Sequence, residues 1–225
     1  DKYIQHNPHT KEGNTGLAEL FKQISKTNPQ VNMIRIFEDK DYVFAHMEYN
    51  FSSLKVAFEV FRFEDGFAVE HWDNMQLMQG PNVSGRNMTD GQVVSIEHNL
   101  TEHNRAIVSS FVTDVLINRK LDLLENYVCN ENFIQHNPQL ADGIQALRFA
   151  LSIKSGTKYE LTYLHAHRIL AEGNFVLSVC EGSIKNQQCA FYDLFRIDNG
   201  KLVEHWDTIE EIPARDKWKN DNGKF

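Results

Sequence analysis

Apolar residues dominate Glu59-Val60-Phe61-Arg62-Phe63, a turn follows at Glu64-Asp65-Gly66, and Val69-Glu70-His71-Trp72-Asp73 mixes apolar residues with carboxylates and an imidazole. The chain writes the same pattern a second time as Asp193-Leu194-Phe195-Arg196-Ile197, Asp198-Asn199-Gly200 and Val203-Glu204-His205-Trp206-Asp207. Two strand-like runs around a Gly-containing turn predict a β-hairpin in each copy, with side chains facing alternate sides at period two. A three-residue loop with a left-handed Gly would pair Ile197 with Lys201, Phe195 with Val203, Asp193 with His205 and Phe191 with Asp207. A two-residue loop would instead set Phe195 beside Glu204 and Asp193 beside Trp206, a poorer match of polarity. The three-residue loop is therefore the expected closure, and Glu59 is expected opposite His71. One sheet face would then be apolar but for Asp193, His205 and Asp207, or Glu59, His71 and Asp73 in the first copy.

The repeat extends beyond the hairpins. Tyr3-Ile4-Gln5-His6-Asn7-Pro8 returns as Phe133-Ile134-Gln135-His136-Asn137-Pro138, and the Asn-Pro step predicts a turn. Short helices are expected over 14–25 and 143–153. Strands are expected over 32–38, 42–51, 159–171 and 174–184, with Arg35-Ile36 and Arg168-Ile169 in matching places. Aligning Ala57-Phe58 with Ala190-Phe191 leaves one extra residue before Asp193, which predicts a β-bulge there. Residues 78–99 are rich in Gly, Asn and Ser and read as a connection with a short strand at 92–96. A helical stripe of Ile107, Phe111, Val115 and Leu116 and a second of Leu121, Leu124 and Val128 fill 100–127, with Thr101 as a cap. The first copy has no counterpart to these helices. Either about 30 residues precede Asp1, by comparison with the second copy, or the first domain borrows cover from a neighbour. The expected division is a first domain over 1–80, a linker over 81–99 and a second domain over 100–225.

Composition narrows the function classes. Of the 225 residues, 41% are hydrophobic and 24% charged, an ordinary globular balance. A net charge of −8 without clustered Lys and Arg argues against a nucleic-acid partner and fits a small apolar ligand better. Three cysteines without a C-x-x-C pair signal neither a disulfide framework nor a zinc knuckle, and a reducing, cytoplasmic setting is the expectation. No apolar run approaches the ~18 residues of a membrane span, so no membrane partner is expected.

The order of helices, aromatic-Ile-Gln-His-Asn-Pro turn, short helix and four long strands ending in F-R-x-x-x-G-x-x-V-E-H-W-D resembles the SnoaL-like polyketide cyclase group of the nuclear transport factor two-like superfamily. The resemblance covers about 100–212 and the first copy without its opening helices. It implies an α+β chain of two cone-shaped domains, each a curved, mostly antiparallel sheet packed on helices around an apolar pocket. It also implies an aldol-type reaction without metal or cofactor, in which an aspartate of the last strand is acid and base. By motif position that residue is Asp207, and Asp73 in the first copy. Where such cyclases can carry a pocket histidine, this chain has Asp193 and Glu59.

Each candidate has a chemical and a structural reading. A carboxylate on an apolar face pays a desolvation cost that raises its pKa toward neutrality and suits Asp207 to general-base work; at a sheet edge it would simply be solvated or ion-paired. His205 with Asp193, and His71 with Glu59, could be an oriented acid–base pair or a buried pair that fixes register. His6 and His136 could polarise a carbonyl at a pocket mouth or hydrogen-bond locally. H-x-N-P and H-W-D lack a recognised ligand spacing, so no metal is expected. Trp72 and Trp206, with Glu70 and Glu204, face the other way and predict a contact between the two domains or across a homodimer. Two functions remain: a cofactor-independent enzyme moving a proton next to a carbonyl, and a non-catalytic small-molecule-binding protein on the same fold.

Overall fold

The computed structural model describes residues 3–130, 132–153 and 161–225. The first half contains β1 (Ile4–Gln5), α1 (Gly13–Ile24), β2 (Gln30–Asp39), β3 (Tyr42–Asn50), β4 (Leu54–Glu64) and β5 (Phe67–Leu77). The second opens with α2 (Thr101–Phe111), which continues into a π-helical turn at Val112–Ile117, and then α3 (Leu124–Tyr127). After these come β6 (Ile134–Gln135), α4 (Ile144–Ser152), β7 (Leu161–Glu172), β8 (Phe175–Ile184), β9 (Gln187–Asp198) and β10 (Lys201–Glu211). The expected start of the seventh strand, Tyr159 and Glu160, lies outside the described residues.

Two five-stranded sheets result, in the orders β1-β5-β4-β3-β2 and β6-β10-β9-β8-β7. Among the described strands, only the two-residue β1 and β6 run parallel to their neighbours, β5 and β10. This is the twofold α+β architecture that the motifs implied. Register shifts in β2, and two in β7, add local twist to the long ladders and curve each sheet.

The hairpin closure differs from expectation. Asn199 and Gly200 (φ 49° and 74°), like Asp65 and Gly66 (φ 52° and 79°), form two-residue turns with both central residues left-handed, a conformation whose twist matches the flanking strands. A bulge between Leu202 and Glu204 then adds one residue to β10. Its effect is to swing His205 and Asp207 back onto the face of Phe195 and Asp193, which a plain two-residue turn would not do. Asp193 is paired with Asp207, not His205, and Glu59 with Asp73, not His71. The apolar face with its three polar residues is as read, but its register is one step different.

Three smaller expectations are also corrected. β9 runs without a register shift past Tyr192, so no bulge precedes Asp193. The Ala-Phe match was a coincidence, and Phe58 corresponds to Tyr192, both buried between the sheets. Residues 92–96 form no strand. Thr101 does not cap α2; its hydroxyl donates to His98 O and accepts from Gly173 N–H, tying the helix start to the β7–β8 turn.

Two cores position the site. Between the second sheet and its helices lie Phe111, Val115, Phe133, Leu147, Phe191 and Phe195. The outer faces of the two sheets bury Phe44, Phe58 and Trp72 against Phe175, Leu177, Tyr192 and Trp206. The repeated arginines cross this seam reciprocally, Arg35 over the Trp206 ring at 4.3 Å and Arg168 over Trp72 at 3.8 Å. Asn74 extends the contact by donating to Ala190 O and Thr208 O at 3.1 and 2.7 Å. No helix among the described residues is long and apolar enough to cross a membrane.

Candidate functional site

The two repeated motifs meet as one device. Because β6 pairs Ile134 with Glu204 and Gln135 with His205, the alternation of Gln-His-Asn meets the alternation of Glu-His-Trp-Asp. On the cavity face Gln135 Oε1 meets His205 Nδ1 at 2.9 Å and Asn137 Nδ2 donates to Asp207 Oδ2 at 2.6 Å. On the outer face His136 Nε2 meets Glu204 Oε1 at 2.9 Å. The first copy repeats all three contacts, Gln5 with His71 at 3.0 Å, Asn7 with Asp73 at 2.5 Å and His6 with Glu70 at 2.9 Å.

His6 and His136 therefore stand away from the cavity chemistry. Their rings stack on Trp72 and Trp206, and their Nδ1 atoms reach Gly223 O and Asn87 O. A residue flanked by Gln and Asn on one strand must point to the opposite face, which is why the structure separates these two histidines from the other six candidates.

In the second unit Asp193, His205 and Asp207 line a small cavity of about 50 Å³ whose other walls include Phe111, Leu147, Tyr163, Phe195 and Ile209. Gln135 Oε1 accepts the Asn137 N–H at 2.9 Å, which fixes the amide orientation, so the second bond to this oxygen is a donation from His205 Nδ1–H. His205 Nε2 lies 3.0 Å from Asp193 Oδ1, and the Tyr163 hydroxyl donates to the same carboxylate at 3.1 Å. Both ring nitrogens then donate, which is the imidazolium state. Burial opposes that charge, but the Asp193 hydrogen bond and the charges of Asp207 and Asp193 outweigh it and raise the His205 pKa. Phe195 stacks on the ring with centroids 4.8 Å apart.

Asp207 is different in kind. Burial is the largest influence on it and, with the Asp193 charge, pushes its pKa up to about 6 against the pull of His205, Asn137 and His136. Its Oδ1 has no hydrogen-bond partner among the described residues. An apolar cavity wall thus holds one carboxylate poised near neutrality beside a cation, an arrangement suited to taking and returning a proton.

The first unit carries the same groups with a different setting. His71 Nε2 meets Glu59 Oε2 at 2.5 Å, Tyr49 donates to Glu59 Oε1 at 2.9 Å, and Phe61 stacks on His71. These residues line an open, mostly apolar groove of about 890 Å³. Burial would raise Asp73, yet Lys224, whose ammonium lies 3.6 Å from Asp73 Oδ1, together with His71 and Asn7 holds it below the usual carboxylate range.

Sequence reasoning passed over Gln135 and Asn137, their counterparts Gln5 and Asn7, and Lys224; it also passed over Tyr163 and Tyr49, which donate to Asp193 and Glu59 from non-equivalent strands, β7 in one unit and β3 in the other. The signal for the first pair was present, since Gln and Asn flank the repeated His at period two. It also passed over a metal-ligating geometry. Ligand atoms of Glu59, His71 and Asp73, and of Asp193, His205 and Asp207, lie within 4.8 Å of one another, a grouping that linear spacing hides because the ligands come from adjacent strands. A divalent cation there would have to displace the Nε2 proton of His205 and, in the first unit, compete with the Lys224 ammonium.

No family model matches the chain, and no curated protein matches it. Among solved structures it is similar to an LEH-like epoxide hydrolase of Mycobacterium tuberculosis, at 19% identity over 49% of this chain and 84% of that one, TM-score 0.39. It is also similar to a SnoaL-like polyketide cyclase from Agrobacterium tumefaciens, at 13% identity over 48% of this chain and 91% of the other, TM-score 0.39. A third is an NTF-2 like protein of unknown function from Burkholderia xenovorans, at 15% identity over 55% and 99%, TM-score 0.43. The likeness is one of fold, and each match spans about half of the chain.

Proposed function

We propose that the second unit is a cofactor-independent proton-transfer site acting next to a carbonyl, of aldol-cyclase or isomerase type, on a small and mostly apolar substrate. The observation that carries this reading is Asp207, a buried carboxylate with an unpartnered Oδ1 on an apolar cavity wall beside the His205 imidazolium. Asp207 takes the proton from the carbon adjacent to the carbonyl, leaving an enolate and a neutral carboxylic acid. The charge of His205 lies in the same cluster and stabilises the developing enolate. The acid then returns its proton, either to another carbon, which isomerises the substrate, or to the alkoxide formed when the enolate adds to a second carbonyl. A base so placed contributes ~10² to ~10⁴ in rate. The cavity's lining, with Leu151 and Leu161 among it, is mostly apolar and supports a substrate of that kind.

One observation favours a second reading, a small-molecule-binding protein: the larger groove, of about 890 Å³, lies over the unit whose aspartate is ion-paired. Deuterium incorporation separates the two. Small aldehydes and ketones incubated with the protein in D2O should exchange their α-protons faster than in buffer. A compound that binds the second unit without any exchange would favour the binding protein.

A further inference from the structure

The segment that follows the last strand of each unit crosses to the other unit. After β5 the connection reaches the second unit, where Asn82 Nδ2 donates to Gln135 O at 2.7 Å and Asn87 O meets His136 Nδ1 at 2.7 Å. After β10 the tail reaches the first unit, where Asn222 Nδ2 donates to Gln5 O at 3.0 Å and Gly223 O meets His6 Nδ1 at 2.9 Å. The next residue in each segment, Met88 in one and Lys224 in the other, is buried and turns toward the same place in the ladder. Met88 Sδ accepts from Gln76 Nε2 at 3.8 Å. Lys224 Nζ donates to Glu210 Oε2 at 2.5 Å and to Asp73 O at 2.7 Å, with Asp73 Oδ1 at 3.6 Å. Gln76 and Glu210 hold matching positions, three residues after Asp73 and Asp207.

We propose that these two crossing residues divide the labour between the units: Lys224 ion-pairs with Asp73 and removes the first unit from proton transfer, while the neutral Met88 leaves Asp207 free to carry it out. This rests on the reading of Asp207 as the base. The groups around the two carboxyls differ in more than one place, since Tyr3 and Glu210 at the first unit stand where the second has Phe133 and Gln76, and Tyr49 also acts on Asp73. Asp73 is faced by His71, Glu59, Tyr3, Tyr49, Tyr192, Glu210 and Lys224, and Asp207 by His205, Asp193, Tyr163 and His136. The cation that distinguishes them is Lys224, which is 3% exposed and so is little screened by water. An aspartate held ionised by a buried ammonium is a poor proton acceptor, because protonating it gives up the attraction of that ammonium, which keeps Glu210 at 2.5 Å as its nearer partner.

Carbon-13 NMR titration of the two aspartate carboxyls in the intact wild-type chain tests the division without any substrate. Asp207 should titrate near pH 6 and Asp73 well below it. Lys224→Met should raise the Asp73 midpoint by about one pH unit or more and leave α-proton exchange at the second unit unchanged. Met88→Lys should lower the Asp207 midpoint and slow exchange by roughly tenfold or more. If the wild-type carboxyls titrate together, or if Lys224→Met leaves Asp73 where it was, the division is overturned while the Asp207 reading stands. Should the midpoints differ as stated and Asp207→Asn still exchange at full rate, the catalytic reading fails instead, and with it the assignment of labour. The wild-type titration decides the electrostatic point even if a variant does not fold.

Discussion

Asp207 stands directly across the β9–β10 ladder from Asp193, yet it is Asp193 that His205 pairs with at 3.0 Å, with the Tyr163 hydroxyl donating to the same carboxylate at 3.1 Å. Two neighbouring carboxylates in unlike settings are pushed toward unlike roles, one holding a cation in place and the other exchanging protons.

Exchange at the second unit should therefore follow a bell-shaped pH profile. Its acid limb reports ionisation of Asp207, raised to about 6, because only the carboxylate accepts a proton. The basic limb reports loss of the raised His205 proton, above the ordinary histidine value. Both limbs belong to the coupled Asp193–His205–Asp207 cluster rather than to single residues. A pH-rate series on any exchanging carbonyl compound checks this, and a rate flat from pH 5 to 7 would contradict it.

Stability should move the other way. A carboxyl raised from an unfolded value near 3.9 to about 6 favours the fold when protonated, and that contribution is lost as pH rises through the folded value. At pH 8 the buried charge costs up to about 3 kcal/mol, so Asp207→Asn should be more stable than wild type there and should lose that advantage below about pH 4. The imidazolium of His205 acts in the same direction, stabilising below its unfolded pKa and failing as pH rises through its higher folded one. Urea titrations at the two pH values read the difference.

Gln135 is a positioning residue. Gln135→Met removes the acceptor from His205 Nδ1–H and leaves that proton buried without a partner, at a cost of about 1–3 kcal/mol. It should lower the His205 pKa seen by nitrogen-15 NMR and shift the basic limb of the profile downward. A purely structural role would change stability and leave that limb in place.

At the seam between the sheets, Arg35 lies over Trp206 and Arg168 over Trp72. Arg35→Ala and Arg168→Ala should each cost about 1–2 kcal/mol in denaturant unfolding. Trp206→Ala, which empties a fully buried site, should cost about 3–5 kcal/mol.

Much of this was legible in alternation alone. The apolar face with its acid–imidazole cluster, the opposite tryptophan face, and the duplication all follow from period-two patterning written twice. Hairpin register was not, because a left-handed two-residue turn and a bulge at Val203 compensate each other and give the same facing with different partners. The pairing of Gln-His-Asn with Glu-His-Trp-Asp was hidden for another reason. It is a two-residue parallel bridge between segments some 70 positions apart, and nothing local in either announces the other. Lys224 was beyond pattern reading, since its role comes from the path of an irregular tail across the first unit.

The most direct test of the account is the rate of α-proton exchange in D2O by Asp207→Asn against the wild type, on a carbonyl compound that both bind. Asparagine keeps the size and the Asn137 contact but cannot accept a proton, so exchange should fall by roughly 10²-fold or more while affinity stays within a few-fold. Full exchange by Asp207→Asn would contradict the account and leave the chain a binding protein.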